Sequence, residues 1–176
     1  PMQNIGAYGV ELESVFHSLQ AVEIGTGKVR VFLKEECKFG YRDSIFKKEV
    51  KDKYVITGVN IQLSRDHKLN TTYGVIQDVL KERGVEHPTI HDVSNAVISI
   101  RQSKLPDPAV IGNAGSFFKN PVIPTDQFDK IKVTHPTLPG YPAEEGLVKV
   151  PAGWLIEQSG WKGYRKGNAG CYEKQA

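Results

Sequence analysis

Cysteine is almost missing from this sequence: Cys37 and Cys171 are its two thiols, too few for a disulfide framework and without metal-ligand spacing, which fits a reducing compartment. Long apolar runs are missing as well, and nothing approaches the roughly 18 residues that a membrane span needs. The opening Pro1-Met2-Gln3-Asn4 has neither the charged start nor the apolar centre of a signal peptide, and with no Met at position 1 it reads as part of a longer chain. Neither sign of charge dominates. The 23 Lys and Arg against 20 Asp and Glu leave +3, divided as 13 against 12 through Pro88 and 10 against 8 beyond it, so the basic residues are interleaved with acids and do not single out nucleic acid. With 39% hydrophobic and 24% charged residues in 176, disordered, collagen-like and disulfide-rich classes fall away. No Walker loop, dinucleotide G-x-G-x-x-G, nucleophile elbow or H-E-x-x-H occurs. The five histidines are scattered, and His87 and His91 are interrupted by Pro88, so no metal site is expected.

What is present reads as an α+β mixture. Residues 15–24 are rich in β-formers, Gly25-Thr26-Gly27 is turn chemistry, and Val29, Val31 and Leu33 alternate with Arg30 and Phe32, so a hairpin is expected. Residues 54–63 form the clearest strand, with Gly58 as a bulge. Lys34 to Ser44 reads as a short helical turn and an ordered loop. Val75, Ile76, Val79 and Leu80 make a helical stripe that Gly84 stops. Ile90, Val93, Ala96, Val97 and Ile100 make a second, with Thr89 as its N-cap. Pro106 and Pro108 mark a boundary. Beyond them come a helix over 125–132, a strand over 147–150, a helix over 152–158 and a Gly-rich close. Two subdomains, 1–100 and 101–176, are expected.

Three polar segments carry candidate chemistry. In Gln3-Asn4-Ile5-Gly6-Ala7-Tyr8-Gly9, small residues let backbone approach a flat or phosphorylated ligand while Gln3 and Asn4 offer amides; the alternative is a turn between strands. In Phe39-Gly40-Tyr41-Arg42-Asp43-Ser44, the planar fork of Arg42 suits a carboxylate or developing enolate. The alternative there is a surface Arg42–Asp43 pair that contributes almost nothing. In Gly112-Asn113-Ala114-Gly115-Ser116-Phe117-Phe118-Lys119-Asn120-Pro121, the glycines permit left-handed backbone, and Phe117 and Phe118 are expected to keep water from the Ser116 hydroxyl or to staple the loop into the core. A hydroxyl held in a dry site can protonate a strongly basic carbanion or enolate.

The strings Q-N-I-G-A-Y-G-V-E, F-G-Y-R-D-S-I-F-K and K-L-P-D-P…G-N-A-G-S-F-F-K-N-P, in this order, resemble the UDP-N-acetylenolpyruvoylglucosamine reductases, flavoenzymes of bacterial peptidoglycan precursor synthesis. The resemblance runs from Pro1 to Ala176 and covers the middle of that family's chain. It implies that residues 1–100 are the second part of a PCMH-type FAD-binding domain and 101–176 an incomplete α+β substrate-binding domain. It also implies a reaction in two halves. NADPH reduces bound FAD, and the flavin gives a hydride to C3 of the enolpyruvyl ether of UDP-N-acetylglucosamine enolpyruvate, whose C2 enolate is then protonated.

In the resemblance, Arg42 matches the arginine that stabilises the substrate carboxylate and enolate, and Ser116 the serine that protonates C2, the two bracketing the double bond. Gln3, Gly6, Tyr8, Tyr41, Arg42, Ile56 and Arg101 fall where the family lines FAD. Tyr73 matches the tyrosine of a loop that folds over the sugar nucleotide, and Lys104, Asn120, Tyr141, Lys162 and Gln175 resemble diphosphate, sugar or other polar contacts. A third catalytic group, a glutamate, and the glycine-rich pyrophosphate loop are expected outside these residues, so the chain alone is expected to be inactive. A cytoplasmic protein with no membrane, metal or nucleic-acid partner is implied. The alternatives are another flavin oxidoreductase with a related FAD domain, or a polyanion-binding module using Lys47, Lys48, Lys51 and Lys53, whose ordinary explanation is a solvated face with Glu49 and Asp52 interspersed.

Overall fold

The computed structural model describes residues 1–66 and 68–175. The chain divides into two compact units, Pro1–Val97 and Ile98–Ala176, and it is α+β in both.

The first unit begins with a two-residue hairpin, β1 (Gly6–Ala7) and β2 (Val10–Glu11). Both central residues of its turn, Tyr8 at φ 54° and Gly9 at φ 79°, have the positive φ that the tight turn matching strand twist demands. A longer meander follows. β3 (Phe16–Glu23) pairs antiparallel with β4 (Val29–Leu33) and with β5 (Tyr54–Ile61), giving the order β4-β3-β5. The hairpin expected from the Gly25-Thr26-Gly27 turn is therefore present, and the last strand stops at Ile61 rather than at Leu63. Its register slips once beside Gly58: Gln20 faces Gly58, but Ala21 faces Ile56, leaving Thr57 as the extra residue. A second slip falls between Phe16 and Ser18. Near it the alternation of burial breaks, with Phe16, Ser18, Leu19 and Ala21 all buried.

One face of this sheet carries the core: Phe16, Leu19, Ala21, Phe32, Cys37, Ile45 and Phe46, with Leu12, Phe39, Val50, Tyr54 and Ile56 packed against them. The aromatic rings meet edge to face, with Phe32 at 5.2 Å from Phe46 and 5.1 Å from Tyr54, and Phe16 at 4.9 Å from Phe39. The short helix α1 (Lys34–Cys37) is started by Glu36, whose carboxylate accepts the Leu33 N–H at 2.8 Å and pairs with Arg30 at 2.9 Å.

Helices α2 (Gly74–Glu82) and α3 (Ile90–Lys104) follow. α2 buries Ile76 and Leu80, and α3 buries Ala96 and Ile100, the stripes expected from their spacing. Thr89 caps α3 as expected: its hydroxyl accepts the Asp92 N–H at 3.3 Å while the Asp92 carboxylate accepts the Thr89 N–H at 2.8 Å.

In the second unit, β6 (Val122–Pro124), β7 (Tyr141–Pro142) and β8 (Leu147–Lys149) form an antiparallel sheet in the order β6-β8-β7. α4 (Thr125–Thr134) lays Phe128 against Leu138 and Val150, with Ile123, Ile131, Val148 and Trp154 around them. Gly140 is obligatory here, since a Cβ would stand 2.7 Å from the Phe128 ring and 2.8 Å from Val148 Cγ1. α5 (Ala152–Gln158) and a small hairpin of β9 (Arg165–Lys166) with β10 (Ala169–Gly170) complete it. Among the described residues no helix is long and apolar enough to cross a membrane.

Candidate active site

Arg42 is delivered by a loop anchored at both ends. Upstream, Phe39 packs on Phe16 in the core. Downstream, the buried Ser44 hydroxyl donates to the Met2 carbonyl at 2.8 Å and accepts the Phe46 N–H at 3.3 Å. Between them Gly40 and Asp43 exchange two backbone bonds, at 3.1 and 3.2 Å, across the turn Tyr41-Arg42. Arg42 occupies the second turn position at φ 53°, a place ordinarily given to Gly or Asn because a Cβ is strained there. Such strain persists only where surrounding contacts over-determine it, and it gathers at functional sites.

The contacts are explicit. The half-buried guanidinium donates through Nη2 to the Gly6 carbonyl at 2.9 Å and through Nη1 to the Asn4 carbonyl at 3.3 Å, and Glu11 Oε1 lies 3.5 Å from Nη1. It also lies over the Tyr41 ring, 5.2 Å from the centroid. The alternative of a surface Arg42–Asp43 pair is overturned, because Asp43 bonds Lys48 instead, which holds its carboxyl below the ordinary range. Lys47 donates to the Arg42 carbonyl at 2.9 Å and Glu49 pairs with Lys38 at 3.1 Å, so Lys47 and Lys48 of the lysine-rich stretch are held by protein partners.

The Q-N-I-G-A-Y-G segment meets this loop through backbone. Asn4, expected to offer its amide to a ligand, is instead fully buried at 0% exposure. Its amide donates to Glu11 at 3.0 Å and to the Gly40 carbonyl at 3.2 Å, and its oxygen accepts the Glu13 N–H at 3.0 Å. Burial requires each of those polar atoms to be satisfied, which leaves none for a ligand. Gln3 stays exposed. Tyr8 and Tyr73 stand edge to face at 5.5 Å, and Asn70 donates to the Gly9 carbonyl at 3.2 Å, so the segment before α2 closes onto the first hairpin. Contacts therefore bring together Gly6, Arg42 and Tyr41 in one group and Tyr8 with Tyr73 in another, joined by the β1–β2 hairpin. Ile56 lies on β5 against the core, and Arg101 near the exposed end of α3.

In the second unit the Ser116 loop has no regular element from Leu105 to Pro121. Gly115 has φ 70°, the left-handed turn its glycine allows, and its N–H is held by Asn113 at 3.2 Å. The expectation that two phenyl rings dry the site is corrected: Phe117 and Phe118 are 85% and 67% exposed, lying 6.4 Å from one another. A hydrophobic side chain needs a facing surface to be buried, and the unit's core is filled by Phe128, Leu138 and Val150. Asn120 ends the loop by accepting the Ala152 N–H at 2.9 Å, which satisfies the start of α5. Lys104, Tyr141, Lys162 and Gln175 are all exposed, Lys162 pairing with Glu157 at 3.0 Å. No contact joins these four residues to one another among the described residues, and no group of three or more metal-ligating side chains occurs there.

Glu11 is the functional candidate that sequence reasoning passed over. The signal was present, since a hairpin turn at Tyr8-Gly9 puts Glu11 opposite Gly6.

The class is given by a family model: residues 107–176 match the C-terminal domain of UDP-N-acetylenolpyruvoylglucosamine reductase. Over all of its length the chain is 55% identical to the UDP-N-acetylenolpyruvoylglucosamine reductase of Pseudomonas savastanoi pv. phaseolicola, 53% to that of Flavobacterium johnsoniae and 49% to that of Pseudomonas aeruginosa. It covers 52% of each, so the chain spans about half the length of the curated relatives it matches. In fold it resembles the crystal structure of the enzyme of this name from Thermus caldophilus, with a TM-score of 0.54 at 19% identity, over 99% of this chain and 45% of that one. The chain is thus similar to UDP-N-acetylenolpyruvoylglucosamine reductases over about half of their length, and its residues 107–176 match the C-terminal domain of that family.

Proposed function

We propose that the protein to which this chain belongs, at the length of its relatives, is a cytoplasmic oxidoreductase of peptidoglycan precursor synthesis. It would reduce UDP-N-acetylglucosamine enolpyruvate with electrons from NADPH through bound FAD. Pro1–Val97 would then contribute the second part of a PCMH-type flavin domain, and Ile98–Ala176 the substrate-binding region.

The observation that carries the reading is the Arg42 cradle, a strained residue held by Gly6, Asn4 and Glu11 within the strings that resemble those of the reductases. The donor set suits a flavin: aromatic faces at Tyr8 and Tyr41, a fixed cation at Arg42, and a Gly6 backbone so close to its neighbours that a Cβ would lie 2.7 Å from Glu11 Cγ. Gln3, Gly6, Tyr8, Tyr41, Arg42, Ile56 and Arg101 are the residues proposed to hold it. When bound, FAD supplies the hydride.

The protein's own groups do the rest. Hydride addition to the enolpyruvyl ether moves charge onto the substrate carboxylate, so a guanidinium fixed in advance stabilises the transition state more than the ground state. Arg42 supplies that charge. Ser116 donates its hydroxyl proton to C2, and Tyr73, Lys104, Asn120, Tyr141, Lys162 and Gln175 would take the sugar and diphosphate oxygens. The exposure of the lysines and tyrosines among them is what an incoming polyanion needs. Mixing the full-length protein with NADPH and then with the enolpyruvyl sugar nucleotide tests the proposal. Flavin absorbance is expected to bleach and then to return only with the sugar nucleotide; bleaching without return would refute it.

A further inference from the structure

Glu11 bridges two groups of unequal mobility. Its Oε2 is held by the Asn4 amide at 3.0 Å, and Asn4 is itself immobilised by burial and by bonds to the Gly40 carbonyl and the Glu13 N–H. Its Oε1 lies 3.5 Å from Nη1 of Arg42, the end of a long side chain. We infer that Glu11 is a positioning residue for Arg42, an acceptor that Asn4 locks in place and that helps the Asn4 and Gly6 carbonyls set the plane of the guanidinium.

The arrangement leaves two donors over. Nη1 and one N–H of Nη2 are directed at protein acceptors, while Nε–H and the second N–H of Nη2 donate to no described residue, so the locked plane offers them to an anion. The inference rests on the reading that Arg42 receives the substrate carboxylate. A carboxylate beside that cation would oppose an anionic ligand if charge were its purpose. At 3.5 Å, with the Glu11 side chain 45% exposed, the charge is largely screened. Hydrogen-bond acceptance in a fixed place is what remains, and a glutamine amide oxygen can supply that equally well. Displacement by about 1 Å at a reacting centre is enough to cost a large rate factor.

The test uses the full-length holoprotein in three variants, Glu11→Ala, Glu11→Gln and Arg42→Lys, read by arginine side-chain NMR and by steady-state kinetics. The Arg42 Nε–H resonance is identified by its disappearance in Arg42→Lys. It is expected to shift in Glu11→Ala, as the guanidinium leaves its fixed place over the Tyr41 ring, and to stay in Glu11→Gln. The kcat with the sugar nucleotide is expected to fall about tenfold in Glu11→Ala, with the NADPH KM unchanged, and to recover in Glu11→Gln. An unmoved resonance in Glu11→Ala, or a Glu11→Gln variant as impaired as Glu11→Ala, overturns the inference. A resonance that moves while Arg42→Lys turns over normally upholds the positioning and refutes the catalytic reading of Arg42 instead.

Discussion

Nη2 of Arg42 donates to the carbonyl of Gly6 across 2.9 Å, joining two loops 36 residues apart. The approach is possible because Gly6 lacks a side chain: a Cβ there would sit 2.7 Å from Glu11 Cγ, 3.1 Å from the Val10 carbonyl and 3.3 Å from Arg42 Nη1. Gly6→Ala should therefore destabilise the first unit by roughly 1–3 kcal/mol through overpacking and disturb Arg42. Urea unfolding checks the first effect, and turnover of the full-length protein the second. Unchanged values in both would mean that the cradle yields without consequence.

Asn4 should be among the costliest positions in the first unit. Asn4→Ala removes three hydrogen bonds and leaves the Glu13 N–H without its acceptor, while the Gly40 carbonyl keeps only the Asp43 N–H. Its φ of 38° is, in addition, a conformation that Asn tolerates better than Ala. A loss of about 2 kcal/mol or more is expected in urea unfolding. Asn4→Asp keeps the acceptor for Glu13 but places a charge beside Glu11, so it should fail to rescue.

The fold of this region was legible in the sequence where its cause is local. Alternation and a Gly-Thr-Gly turn specify the β3–β4 hairpin, and Thr89 with Asp92 three residues on marks the start of α3. The site was less legible because its causes are remote. Burial of Asn4 depends on Gly40, a partner 36 positions away, and no local pattern announces that Arg42 adopts positive φ. Phe117 and Phe118 failed in the opposite way: apolar character reads as interior, but burial needs an opposing surface, which composition does not specify.

The cap of α3 makes a pH prediction. The Thr89 hydroxyl and N–H hold the Asp92 carboxyl below its ordinary pKa. A carboxyl depressed on folding adds stability above its unfolded pKa and loses it as pH falls through the folded one. Thr89→Ala should accordingly cost stability at pH 7, and its difference from the wild type should shrink as pH falls below 4. Denaturant unfolding at several pH values checks this; a difference independent of pH would assign the effect to the hydroxyl alone.

Cys37 behaves oppositely. Burial, then the charge of Glu36, pushes its thiol up to about 11. A group whose pKa is raised on folding contributes stability below the unfolded value and loses it as pH rises through the folded one. The wild type should lose stability relative to Cys37→Ala between about pH 9 and 11. In the native protein at pH 8 a thiol reagent should modify Cys171, which is partly exposed, and spare Cys37. Equal labelling of both would contradict the burial of Cys37.

Ser116 lies in an exposed loop with its hydroxyl unbonded among the described residues. Replacing it by Ala should leave stability within about 0.5 kcal/mol of the wild type. In the full-length protein it should spare flavin reduction by NADPH and slow flavin reoxidation by the enolpyruvyl sugar nucleotide. Equal loss in both half-reactions would count against a proton-donor role.

The most direct measurement is single-turnover reoxidation of the NADPH-reduced, full-length Arg42→Lys variant by the enolpyruvyl sugar nucleotide. A lysine keeps the charge but cannot reproduce a planar fork. Reoxidation about a hundredfold slower than wild type, with flavin reduction by NADPH unaltered, is the predicted result. Reoxidation at the wild-type rate would show that the cation held by Gly6, Asn4 and Glu11 takes no part in the chemistry.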